Sequence, residues 1–245
     1  MVAGTLMRIA IVSDLHGNRT AFDAVLADLR QTSPDLIFHG GDLADSGSSP
    51  LEVLDRVRDL GWPGVVGNTD EMLAIPETLE EFASQSKAPP ALWCAIREIT
   101  SATRDVLGEE RLRWLRSLPR IQMHGELALV HASPESRWKA PGPEAGDAEL
   151  EAVYGPVGKA VVVYGHIHRG FVRRVSGMTV VNSGSVSLSY DGDRRASYLL
   201  LDDLEPTIRR VSYDLDKELK ALSRCKLPHS EWIAKTLESG RPQMP

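Results

Sequence analysis

Cysteine is scarce in this chain. Cys94 and Cys225 are the only two in 245 residues, far apart and outside any CxxC pattern. That excludes a disulfide framework and a structural zinc ribbon, and it points to a reducing cytoplasm. Long apolar runs are also missing: none approaches the ~18–20 residues that a bilayer-spanning helix needs. Near the N-terminus Arg8 interrupts the apolar stretch and no small-residue cleavage pattern follows, so no secretory leader is expected. Basic charge is not in excess. Lys and Arg number 28 against 34 Asp and Glu, a net charge of −6, so no dedicated nucleic-acid-binding surface is expected. A composition of 42% hydrophobic and 25% charged residues belongs to a globular chain, not a disordered one.

The first half alternates strand and helix patterns. Arg8 to Ser13 is a β-branched run, and Phe22, Val25, Leu26 and Leu29 then recur at helical spacing. Asp35 to His39 reads as a second strand, Pro50 to Leu60 as a helix and Gly64 to Gly67 as a third short strand. Such alternation predicts crossover helices and parallel strands buried on both faces. Between Asp70 and Leu118 the strand signal disappears. Leu73, Leu79 and Phe82 suggest one helix, Leu92 to Val106 another and Glu109 to Leu118 a third, with Pro89 and Pro90 breaking the middle. Residues 70–118 are therefore expected to be a helical cap inserted in a single domain of residues 1–245. The second half is strand-rich: Leu127 to His131, Ala160 to Tyr164, Gly170 to Val175, Met178 to Asn182, Ala196 to Asp202 and Thr207 to Tyr213. Pro141, Gly142, Pro143 and Gly146 mark a loop, and Asp216 to Leu222 and Ser230 to Leu237 read as terminal helices.

Ligand-type residues gather at the ends of the predicted strands. Asp14-Leu15-His16-Gly17-Asn18 follows the first and Gly40-Gly41-Asp42 the second. Gly67-Asn68-Thr69-Asp70 follows the third, His131 closes LALVH, and Gly165-His166-Ile167-His168 closes AVVVY. In α/β sheets, ligands bind beyond the carboxyl ends of the strands. Asp14 and His16, two apart in extended chain, point the same way. Two carboxylates, an amide oxygen and four imidazoles suit hard-to-borderline divalent ions, with Mn the expected metal and Fe or Zn the alternatives. Seven ligands are too many for one tetrahedral site and suit two metal ions ~3.5–4 Å apart. Asn18 and His39 are the candidate substrate contacts. Arg137, Arg169 and Lys139 lie near motif histidines, while Trp93 and Trp114 read as core.

DLHGN, GGD, GNTD, a strand-end histidine and GHIH, in this order, resemble the calcineurin-like metallophosphoesterases. The run from Val181 to Asp202 is similar to the small bacterial and archaeal branch. The resemblance implies an α/β fold, a four-layer αββα sandwich. It also implies a ligand set: Asp14, His16 and His168 for one metal, Asn68, His131 and His166 for the other, and Asp42 between them. The implied activity is hydrolysis of a phosphate ester by a metal-bridging hydroxide, with Asp42, Asn68 and Asp70 as catalytic residues and phosphodiesters favoured over monoesters. A protein Ser/Thr phosphatase is disfavoured, because such relatives carry GDxVDRG and Ser46 stands where that arginine falls. A non-catalytic scaffold of the same fold is disfavoured by the intact ligand positions. One departure concerns Thr69, which stands where many relatives have a histidine that protonates the leaving group; a threonine hydroxyl is a poor general acid.

Overall fold

Strand β1 (Arg8–Val12) pairs in parallel with β2 (Leu36–His39), and helix α1 (Arg19–Thr32) makes the crossover between them. The computed structural model describes residues 7–245. Asn18 starts α1, its Oδ1 accepting the Ala21 N–H at 2.9 Å, and Ser33 ends the helix in the left-handed region. On its other edge β1 pairs antiparallel with β8 (Ala196–Asp202), and β8 pairs antiparallel with β9 (Glu205–Val211). The first sheet therefore runs β2-β1-β8-β9. The second runs β3-β4-β5-β7-β6, built from β3 (Ile121–His124), β4 (Leu127–Val130), β5 (Val161–Tyr164), β6 (Phe171–Val175) and β7 (Met178–Asn182). Its centre, β4-β5-β7, is parallel and its two edge pairs are antiparallel.

The two-residue period of the strands sorts the core into layers. Ile9 and Ile11 of β1, Leu199 and Leu201 of β8, Leu127 and Leu129 of β4, and Val163 of β5 fill the space between the sheets. Ala10, Val12, Tyr198 and Leu200 point the other way, onto Phe22 and Val25 of α1 and Leu54 and Val57 of α2 (Pro50–Leu60). Val130, Val162, Tyr164 and Val180 point outward from the second sheet onto Leu150 and Tyr154 of α6 (Asp147–Tyr154). Helices thus flank both sheets, as the resemblance implied. Helices α7 (Leu215–Leu222) and α8 (Ser230–Ser239) pack through Leu222, Ile233 and Leu237 against Ile99 and Leu188.

Residues 68–117 are helical: α3 (Asn68–Ala74), α4 (Glu77–Gln85) and α5 (Pro90–Ser117). Pro90 opens α5, and Gly108, at φ 73° and ψ 162°, divides it into the two helices that the pattern suggests. Other expectations need correction. Gly64 to Gly67 is not a strand: one bridge joins Gly64 to His39, and Val66 then bonds to the Pro119 carbonyl. The first-half pairings are parallel as expected, β1 with β2 and the bridge of His39 to Gly64. Strand β3 and helix α6 lie in stretches whose short, half-buried or glycine- and proline-flanked sequence hides them.

His39 ends β2 fully buried, not at a rim. Neither ring nitrogen has a partner among the described residues, and the ring packs 6.1 Å from that of Trp114 and against Gly64. Burial pushes its imidazole down to about 4. The unfolded chain takes up this proton near pH 6.5, whereas the folded one resists it until about pH 4. Stability therefore falls with pH across that window, by up to about 3 kcal/mol from this residue. His39→Leu should flatten the acid limb in denaturant titrations between pH 7 and pH 4; an unchanged slope would assign that limb to other groups.

Candidate metal centre and its cleft

The ends of β1, β2, β4 and β5 and the start of α3 converge on one point. Two groups of ligand-type side chains meet there: Asp14, His16, Asp42 and His168, and Asp42, His131 and His166. Within each group the ligand atoms lie within 4.8 Å of one another, and Asp42 belongs to both. Asn68 joins the second group, its Oδ1 2.9 Å from His131 Nε2 and 2.8 Å from His166 Nδ1. These are the seven positions, in the two sets, that the resemblance implied.

Backbone geometry aims them. Asp14, His16, Asp42, His166 and His168 all have positive φ, between 45° and 65°, a region that L-residues enter only under constraint. The constraint is mutual: Asp14 N–H donates to the Gly41 carbonyl, His16 N–H to that of Asp42 and Gly17 N–H to that of Leu43, so two ligand loops are laced together. A Cβ on Gly67 would collide with the Asp42 carboxylate, and one on Gly165 with that of Asp14. Glycine is needed at both for this close approach.

The imidazoles are fixed from behind. His16 Nδ1 donates to the Asp45 carbonyl at 3.0 Å, His131 Nδ1 to that of Gly40 at 2.8 Å and His168 Nδ1 to that of Leu188 at 2.8 Å. A carbonyl only accepts, so each Nδ1 carries a hydrogen and each Nε2, when unprotonated, presents a lone pair to the centre. Hence His16 Nε2 faces His168 Nε2 at 3.2 Å, and His131 Nε2 lies 3.4 Å from Asp42 Oδ2. Converging lone pairs repel unless positive charge sits among them. Without a metal ion, a proton on an Nε2 can supply that charge. Burial lowers the His131 imidazole, yet the Asp42 charge beside it lifts it to about 9. Burial raises the Asp42 and Asp14 carboxyls, yet His131 and His168 hold them below the usual range. The donors fit two divalent cations.

Asp70 lies behind this centre, fully buried. It accepts the N–H groups of Asp42 at 2.8 Å, Leu43 at 2.9 Å and Gly67 at 3.0 Å. Burial and the neighbouring Asp42 push its carboxyl up to about 6. Asp70 therefore positions Asp42 and does not itself line the cleft. Nor does Asn18, expected as a substrate contact: it caps α1 and donates to Ser187 Oγ at 3.2 Å. His39, the other expected contact, is core. Arg137 is paired with Glu71, and Arg169 with Glu144 at 3.1 Å.

A cavity of about 380 Å³ opens over the two groups, lined by His16, Asp42, Asn68, His166 and His168 at its floor. Its walls were not foreseen. They include Phe82 of α4, Trp93 of α5, Trp138, Tyr190 and Trp232 of α8, so Trp93 is a cavity residue and not simply core. Tyr190 stacks on the His168 ring at 4.6 Å. Thr69 also lines the cavity; its N–H donates to Asp42 Oδ1 at 2.9 Å and its hydroxyl has no partner among the described residues.

The chain matches the calcineurin-like phosphoesterase superfamily domain over residues 7–204 and belongs to that family. With its two buried His/Asp groups it is a metal-dependent phosphoesterase. An uncharacterized protein of Methanocaldococcus jannaschii is 31% identical to it, over 95% of this chain and 98% of that one. A metallophosphoesterase structure from Sphaerobacter thermophilus superposes with a TM-score of 0.77 at 27% identity, covering 96% of this chain and all of that one. A symmetrical bis(5'-nucleosyl)-tetraphosphatase of Nitrosococcus oceani is 29% identical over 60% of this chain and 51% of its own length. Among the described residues, no helix is long and apolar enough to cross a membrane.

Asp70→Asn tests the positioning role. One amide oxygen cannot accept three N–H groups, and the new NH2 would face a donor. The expected cost is about 1–3 kcal/mol of stability, together with weaker ion binding by calorimetry. Full stability with unchanged ion affinity would contradict the role.

Proposed function

We propose that this protein is a phosphodiesterase whose residues 1–245 act as one catalytic unit, residues 70–118 being the insertion that closes its cleft. The observation that carries the diester preference is charge: among the described residues, no Lys or Arg side chain lines the cavity. A monoester dianion would have to be neutralised by the metal centre alone, whereas a diester brings one negative charge. In this reading Asp14, His16 and His168 hold one ion, Asn68, His131 and His166 the other, and Asp42 both. Manganese is the proposed metal, with iron or zinc the alternatives for a nitrogen–oxygen donor set. Divalent ions bound there supply a water of lowered pKa and screen the phosphoryl charge. The cytoplasm is the proposed compartment, which two free cysteines support.

The chain's own part is orientation. The carbonyls of Gly40, Asp45 and Leu188 keep three imidazoles turned inward, and Thr69 N–H and Asp70 fix Asp42 from opposite sides. No imidazole takes the place of Thr69, so the leaving group must depart with little help from an acid. Esters with good leaving groups are the expected substrates.

Asp42→Ala should remove hydrolysis of bis-p-nitrophenyl phosphate with manganese, by about 10³-fold or more, since both ions lose a ligand. Retained hydrolysis would refute the assignment. Thr69→His should raise the rate on a poor-leaving-group diester by about 10²-fold while changing the p-nitrophenyl ester little. An unchanged rate on the poor ester would show that the missing imidazole does not limit the enzyme.

A further inference from the structure

The walls of the cleft are unlike the rest of the molecule. Three of the chain's five tryptophans, Trp93, Trp138 and Trp232, line this one cavity, with Phe82 and Tyr190 beside them. They come from five separate elements: α4, α5, the segment after β4, the segment after β7, and α8. Four of the five rings are only half-buried, although aromatic rings gain most when fully buried. A core would have covered them.

The rings are held in place. Phe82 and Trp138 stack at 4.6 Å with planes 25° apart, and Trp93 meets Phe82 edge-on at 5.8 Å. The Trp138 indole N–H donates to Glu71 Oε2 at 2.9 Å, and Arg137 pairs with the other oxygen of that carboxylate. This clasp ties the loop carrying Trp138 to α3, whose first residue is Asn68. The aromatic wall and the floor of ligand-type residues are therefore joined in one cleft.

We propose that this wall is a subsite for a planar heteroaromatic group carried by the ester, as in a nucleoside phosphodiester, with Trp138 its specificity-determining residue. The inference rests on the phosphodiesterase reading and names the substrate class for it. Aromatic faces bind flat π-systems by stacking and tolerate different bases. The cavity's 380 Å³ lies near the low end of small-molecule sites, enough for one nucleotide-sized ligand. Without lining cations it does not track a polyanionic strand, so a small nucleoside ester fits and a polynucleotide does not.

The test compares two diesters of equal charge and identical leaving group, thymidine 5′-(p-nitrophenyl phosphate) and ethyl p-nitrophenyl phosphate, with the manganese-loaded enzyme. The thymidine ester should have the higher kcat/KM, by about 10-fold or more. Trp138→Ala should bring that ratio toward one, a loss of about 5-fold or more, as expected for one lost stacking contact. Trp138→Phe, which keeps a ring in place, should preserve most of it. Equal kcat/KM values in the wild type, or the same ratio in both variants, would overturn the subsite. Calorimetric titration with thymidine 5′-phosphate and with ethyl phosphate separates the two claims. If neither ester is hydrolysed, the phosphodiesterase reading falls; tighter binding of the nucleotide, lost in Trp138→Ala, would still uphold the subsite. Equal binding of the two phosphates would overturn it.

Discussion

The Asp42 carboxylate is the group on which the rest of the structure depends. It is 2% exposed and belongs to both ligand groups. A carboxylate taken out of water costs several kcal/mol unless charge and hydrogen bonds compensate it. Here the compensation comes from all around. Thr69 N–H donates to one oxygen, and the imidazoles of His131 and His16 lie 3.4 and 3.7 Å from the other. Its own backbone N–H is anchored on Asp70. These partners arrive from three separate parts of the chain, residue 16, residues 69–70 and residue 131, so the two-sheet core is what brings them to one place.

That arrangement strains the chain. Five of the ligand-type residues sit at positive φ, each at an expected cost of about 1 kcal/mol or more. The strain persists because the loops over-determine one another. Residues 14–17 bond to residues 41–43, and Ser185 Oγ and the Ser187 N–H both donate to the Asp14 carbonyl. The turns are set by protein–protein hydrogen bonds and not by ions alone. Side chains fixed beforehand in this way lose little freedom when ions bind.

The strand ends and their ligands were legible because the chemistry needs particular residue types at particular offsets from apolar runs. Asp14, His16, Asp42, Asn68, His131, His166 and His168 all stand at such offsets. The sequence marks Asn18 as a candidate substrate contact because it lies in the first motif, yet its Oδ1 faces the first turn of α1 and caps it. His39 misled, since a histidine beside a motif looks like a ligand until burial is seen. Asp70 was read as a catalytic group because it sits in the motif, yet its carboxylate turns back onto three amides. The aromatic wall was not legible at all. Its five rings lie between positions 82 and 232, none at a period that marks one face, and only the packing of α4, α5 and α8 brings them together. Tyr190, in an irregular segment rich in serine, gave no pattern.

The contrast between floor and wall explains how one centre can serve different substrates. The floor is made by loops laced to each other at the ends of buried strands, where a one-residue slip would turn every ligand away. The wall is made mostly by helices outside the two sheets, anchored by Leu79, Trp93 and Met72 in a small cluster of their own. Changes there alter shape and stacking without touching Asp42 or the imidazoles. The charge of the whole chain follows the same division. A net −6 counts Asp14 and Asp42 as free anions, yet both point into a site built for two cations. With those ions bound, the floor is the positive end of a cleft with no lining Lys or Arg among the described residues, and an anionic ester is drawn in phosphate first. The aromatic wall then acts on whatever the phosphate carries, so reaction and selectivity are set by different residues.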